Sequence, residues 1–266
     1  MEPPDSRTIA VQLALDEVGP DVYVGASDPH DGRVFGGLMI AHALRAAHLT
    51  VPDGRIAHSL HSAFVRAGRS DEPLRYEVER THDGGSYSTR RVVAHQAAGV
   101  GFLLTARFQV PEDGPDYQTA PDPVGLPPEE LPVGRYDSPW FESRDVAADG
   151  PGRPPHARAA WFRSRSVLPD DAALQQHALA FLTDHGPTRA VRQPHLEGYD
   201  TERRLSVSLD HAVWFHRPAM VEEWLLYQLV PASTSGSRGL AIGTVRTAGG
   251  ELVATVAQEA MLRMLP

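Results

Sequence analysis

Two stretches of this chain repeat each other at a nearly fixed spacing, and the repeat limits the folds open to it. Ser59-Leu60-His61 parallels Ser208-Leu209-Asp210 at an offset of 149. Further on the offset is 151: Tyr76 matches Tyr227, Gly85-Ser86 matches Gly236-Ser237, and Gly99 matches Gly250. Residues 82–109 and 233–260 align without a gap. Single identities are cheap, but matched glycines at one offset, inside the same order of elements, mark an internal duplication.

The pattern within each half is a helix followed by strands. In the first half Gly36-Gly37 opens an apolar run to Leu49, interrupted only by His42, Arg45 and His48 at every third residue. A helix apolar on its other sides has to be wrapped by something else. In the second half Asp170-Asp171 is an N-cap signal, and Leu174, Ala178, Phe181 and Leu182 fall at i, i+4, i+7 and i+8. Helices are expected near 37–49 and 171–184, each embraced by an antiparallel sheet. Strand-like runs follow at 58–66, 74–81, 88–96 and 100–109, and again at 205–209, 224–230, 240–247 and 252–262. Ala97-Ala98-Gly99 and Ala248-Gly249-Gly250 read as hairpin turns. The class is α+β, two helix-plus-antiparallel-sheet repeats in one chain. Eleven of the 23 prolines lie in 111–155. That stretch reads as a linker between repeats at 1–110 and 156–266.

Composition excludes several functions. A formal net charge of −9 argues against nucleic acid as a partner, because phosphate binding needs a basic face. The absence of cysteine removes disulfides, thiol catalysis and thiolate metal sites. No apolar run approaches 18 residues, and MEPPDSRTIA is not a signal peptide, so a cytoplasmic protein without a membrane partner is expected. His58 and His61, three apart on a strand, face opposite sides and make no metal pair. No G-x-S-x-G, P-loop, H-E-x-x-H or G-x-G-x-x-G occurs. Neither metal nor organic cofactor is expected. Sheets of this kind expose edges and faces, so a homo-oligomer is.

Differences between the halves point to chemistry. A duplicated fold with one active site carries polar groups in one copy where the other is bland. Asp184 ends the second helix, where the macrodipole disfavours a carboxylate. Ser208 lies on the polar side of an apolar strand. Gln258 shares a strand face with Leu252, Ala254 and Val256, where a buried amide needs partners. Its counterpart at offset 151 is Arg107, and the first helix runs out through Thr50-Val51-Pro52 without a carboxylate.

Several longer motifs make the chain resemble a known family. They are Val34-Phe35-Gly36-Gly37, the run from His58 to Gly68, and Asp83 to Val92 in the first half. In the second half they are Gln193-Pro194-His195, Ser208 to Pro218, Glu223 to Tyr227 and Val256 to Glu259. Together these resemble the acyl-CoA thioesterase II family, which has a double hot-dog fold. The resemblance implies hydrolysis of an acyl-CoA to fatty acid and CoA, with catalytic positions matching Asp184, Ser208 and Gln258. It implies a water held by those three, or direct attack by Asp184 through an anhydride. Gly37, His58, Arg90 and Arg91 are candidate substrate contacts, with Arg203-Arg204 a second phosphate candidate. Three departures concern specificity: Leu38 stands where the family often has Gln, the Pro-rich segment matches nothing familiar, and Asp184-His185-Gly186-Pro187 is less apolar than usual in the family. The alternatives are a catalytically silent acyl-CoA-binding protein and a hot-dog hydratase or dehydratase, though the Asp-x-Asn-Pro-x-His run of the latter is missing.

Overall fold

The computed structural model describes residues 8–27, 32–119, 126–147, 154–196 and 204–264. Two compact units divide the chain: Met1–Asp116 with Ser166–Asp184, and Tyr117–Arg165 with His185–Pro266.

The first unit holds α1 (Ile9–Gln12), β1 (Asp16–Gly19), β2 (Val22–Gly25), α2 (Gly36–His48), β3 (Ile56–Phe64), β4 (Leu74–Asp83), β5 (Tyr87–Gln96), β6 (Gly99–Gln109) and α3 (Ala172–Thr183). Its strands run in the order β1-β2-β4-β5-β6-β3, every pair antiparallel. The alternation on β4 and β6 turns Leu74, Tyr76 and Val78, and Phe102, Leu104, Ala106 and Phe108, inward. Nearly the whole of α2 is buried against this face, as its apolar surround requires. Even His42 is fully buried, with Nε2 donating to the Gln12 carbonyl at 2.9 Å and Nδ1 3.2 Å from the Tyr76 hydroxyl. Burial pushes the His42 imidazole down to about 4.

The second helix, α3, packs along α2. Asp171 caps it, its Oδ1 accepting from the Ala173 and Leu174 amides at 2.9 and 3.3 Å. His48 of α2 and His177 of α3 meet edge to face with ring centroids 5.4 Å apart. Further along α3, the Gln176 amide bonds both the N–H and the carbonyl of Ala57, where β3 is bulged against β6.

The second unit holds β7 (Phe141–Val146), β8 (Arg158–Ser164), α4 (Pro187–Arg192), β9 (Arg204–Ser208), β10 (Asp210–Phe215), β11 (Leu225–Ser235), β12 (Arg238–Thr247) and β13 (Leu252–Met264). Its order is β7-β8-β11-β12-β13-β10, antiparallel, with β9 also on β13. Helix α4 lies on β11, β12 and β13.

The order of strands is therefore the same in the two units, as a duplication demands. A pair of strands also precedes each long helix in the chain, β1–β2 ahead of α2 and β7–β8 ahead of α3, which the sequence reading did not include. These hairpins are short and polar on their outer sides, so their periodicity is faint. The second one corrects the reading of 111–155 as linker throughout, because Phe141–Val146 is paired along its length with β8. The helix over 172–183 groups with the first unit and not with the strands that follow it.

Candidate active site

The chain turns sharply after α3. Asp184 is its C-cap at φ −81°, ψ −3°, and Gly186 follows at φ 106°, a left-handed position that suits glycine. Pro187 then starts α4. The half-buried Asp184 carboxylate is aimed at the first turn of α2. A Cβ placed on Gly36 would lie 2.5 Å from Asp184 Oδ2 and 3.0 Å from the Phe64 ring. A Cβ on Gly37 would run into the Phe181 carbonyl. The Gly36-Gly37 pair is thus what lets the end of α3 reach the start of α2. Asp184 stands at the unfavourable end of its own helix dipole but at the favourable, N-terminal end of α2. Phe35, the α2 N-cap, makes no side-chain cap. The Leu38 amide bonds the Phe35 carbonyl at 3.1 Å, which leaves the Gly36 and Gly37 N–H groups as the turn's donors.

In the second unit Gln258 is fully buried on β13. Its Nε2 donates to Ser208 Oγ at 2.8 Å, and its Oε1 lies 2.5 Å from His211 Nδ1. His211 is also fully buried, and desolvation brings its imidazole down to about 4, against a partial lift from the Gln258 bond. At neutral pH it is uncharged. An amide oxygen only accepts, so Nδ1 carries the proton and donates to Oε1. This donor pattern follows from the amide as placed, with its oxygen toward His211 and its nitrogen toward Ser208. Ser208 Oγ accepts one hydrogen bond and retains a proton to donate.

A bulge arranges this relay. Ser208 opposes Ala260, whereas Ala212 opposes Ala257, so four steps on one strand face three on the other. Asp210 fills the gap, its Oδ1 accepting from the Glu259 amide at 2.7 Å, while Leu209 donates to the Glu259 carbonyl at 2.9 Å. His211 was not singled out as a site residue from sequence. The signal available was a histidine three residues after Ser208, at the start of the next strand.

Of the other candidates, only Gly37 lies at the Asp184 end of α2. Arg90 is fully buried at the other end, about 20 Å away along a 13-residue helix. Its Nε donates to Thr50 Oγ1 at 2.8 Å and its Nη2 to the Thr50 carbonyl at 2.9 Å; the remaining donors serve the His82 carbonyl and the Asp83 carboxylate. Arg90 ties down the C-terminus of α2, which replaces its reading as a phosphate ligand. Arg91 is exposed and lies 3.5 Å from Glu79, its cross-strand partner. His58 is half-buried on β3, edge-on to Tyr87 at 5.8 Å. It stands six residues from Phe64, about 20 Å along the strand from Gly36. Arg203 and the side chain of Arg204 lie outside the described residues. No group of three or more metal-ligating side chains occurs among the described residues.

Comparison with known proteins gives the enzyme class: hot-dog hydrolases acting on thioesters. Residues 26–109 match the family model described as acyl-CoA thioesterase N-terminal domain, and 142–261 match acyl-CoA thioesterase. Acyl-CoA thioesterase 2 of Haemophilus influenzae is 32% identical, over 94% of this chain and 95% of that protein. Human acyl-coenzyme A thioesterase 8 is 30% identical, over 99% and 92%. The crystal structure of acyl-CoA thioesterase II TesB2 from Mycobacterium marinum superposes with a TM-score of 0.84 at 37% identity, covering 95% of each chain. The chain belongs to the acyl-CoA thioesterase family, and its fold is the double hot-dog.

Proposed function

We propose that this protein hydrolyses acyl-CoA thioesters to the free acid and CoA, with Asp184, Ser208 and Gln258 acting on one attacking water. The observation that carries the reading is the His211–Gln258–Ser208 relay, a hydrogen-bonded chain running from two fully buried side chains to the Ser208 hydroxyl. In this reading Ser208 and Gln258 fix the angle of approach of the water. Asp184 takes its proton as the water oxygen adds to the thioester carbonyl. The open first turn of α2, through the Gly37 N–H, stabilises the oxygen that becomes negative. Collapse breaks the C–S bond, and the thiolate leaves with the proton held by Asp184.

The test is release of free thiol from an acyl-CoA series by the parent and by Asp184→Asn. The substitution keeps the shape and removes the base, so kcat falls by roughly 100-fold or more. A folded Asp184→Asn protein working at the parent rate would overturn the assignment. The protein is further proposed to be a cytoplasmic homo-oligomer. A monomer by light scattering at micromolar concentration would refute that assembly.

A further inference from the structure

A cavity of about 230 Å³ opens in the second unit beside β8 and β11. Phe162, Tyr227, Leu229 and Tyr136 give it apolar and aromatic walls, and Arg135, Arg158 and Arg189 also line it. His185, the residue after Asp184 in the chain, stands edge-on to Tyr136 at 5.6 Å on its border.

The arginines at the cavity differ from three nearby arginines of this unit that are ion-paired. Arg144 and Arg163 pair with Glu142, and Arg165 with Asp137. Among the described residues Arg135, Arg189 and Arg192 have no ion pair, and Arg158 is bonded through Nε to the neutral Gln193 amide at 2.8 Å. Asp145 is the one carboxylate in the lining. Burial holds the half-buried Arg189 guanidinium below its usual range, and Arg135, Arg158 and Arg192 push it the same way. Cations gathered at a cavity with too few anions are arranged for a ligand that brings the missing charge.

Tyr227 and its counterpart Tyr76 are both fully buried; the Tyr76 hydroxyl lies 3.2 Å from His42 Nδ1, whereas Tyr227 forms part of the cavity lining. Among the described residues ahead of β7 the second unit has a single 3-10 turn, Pro128–Glu130, where the first unit has α1 ahead of β1.

We propose that this cavity is an oxyanion subsite that takes an acidic group of the substrate on Arg135, Arg158 and Arg189. That group is a carboxylate at the far end of the acyl chain or a phosphate of CoA. Planar guanidinium forks match both chemistries, and the aromatic walls keep water from screening the contact. The proposal rests on the thioesterase reading for the identity of the substrate, not for the existence of the site.

The experiment has two parts. Thermal unfolding is followed with inorganic pyrophosphate and with adipate, for the parent, Arg189→Gln, the exposed-site variant Arg135→Gln, and Arg144→Gln as control. The expected result is a rise in Tm with at least one probe for the parent and for Arg144→Gln. That rise is lost in Arg189→Gln and reduced in Arg135→Gln, and neither variant is less stable than the parent without probe. Kinetics then compare a six-carbon acyl-CoA with the same chain bearing a terminal carboxyl. A KM raised about tenfold or more only for the carboxylated substrate assigns the site to the acyl end. A rise for both substrates assigns it to the CoA phosphates. A parent Tm unmoved by either probe, or variants with unchanged KM for both substrates, overturns the subsite. A parent that hydrolyses neither substrate overturns the thioesterase reading instead, and the Tm series still decides the subsite.

Discussion

Ser59 and Ser208 stand at matching points of the duplicated chain, yet their surroundings have diverged. In the first unit Ser59 is buried and opposes Arg107 across the ladder, but Arg107 itself is exposed. In the second unit the position of Arg107 is held by Gln258, which is fully buried and bonded to Ser208. Both strands carry a bulge. In the first unit it falls before the serine, at Ala57/Ser59, and an amide from α3 satisfies it. In the second it falls after the serine, between Ser208 and Ala212, and brings His211 behind Gln258. Where the extra residue sits decides which side chains face inward, so the same ladder is structural in one copy and polar in the other.

The units also differ in how they hold histidine, and that gives the largest expected effect. A histidine whose pKa is lowered by folding binds fewer protons folded than unfolded below about 6.5, so stability rises with pH there. It is lost as pH falls from about 6.5 to about 4, the level given for His42 and His211. Each contributes about 3 kcal/mol of that loss at the lower end. The first unit adds His177, buried, with neither ring nitrogen hydrogen-bonded and its pKa lowered first by burial and then by His48. Hydrogen exchange at pH 5 should therefore show the first unit opening before the second. His177→Leu should reduce that difference, and equal exchange in both units would break the comparison.

Next comes Arg90, which has no ion-paired counterpart in the second unit's relay. Arg90→Met removes a buried guanidinium and frees a partly exposed Asp83, at about 3 kcal/mol. A Tm lower by several degrees with unchanged kcat would sharpen the division between structural and functional polar groups; a kcat loss would undo it. Gln258→Ala should cost about 10- to 100-fold in kcat with the fold retained. His211→Phe should cost less and act on kcat through Gln258, leaving KM in place. Under the proposed mechanism the losses of Gln258→Ala and Asp184→Asn should not add, because both would act on one water. The smallest effect belongs to Arg107→Ala, expected within about 2-fold of the parent in kcat. A large loss there would mean that the first unit carries chemistry of its own.

Much of this was legible in residue order. The repeat offset, the Asp171 cap, the eight strands that follow the helices and the asymmetry at Asp184, Ser208 and Gln258 all rest on local pattern. Arg90 shows where pattern stops: a guanidinium within a family motif reads the same whether it meets phosphate or the end of a helix. The hairpins β1–β2 and β7–β8 were missed because strands of four to seven residues, flanked by proline and glycine, carry little periodicity.

By itself the sequence determined the duplicated order, the apolar faces and the chemical types at the diverged positions, because these follow from spacing and composition along the chain. Only the tertiary structure decided which ends meet. Asp184 lies against Gly36, about 150 residues earlier, because two glycines let one helix approach another. His211 holds Gln258 from the neighbouring strand because a bulge turns it inward. Such contacts depend on close approach and register between distant segments, and burial then sets their charge states, as it does for His42 and His211.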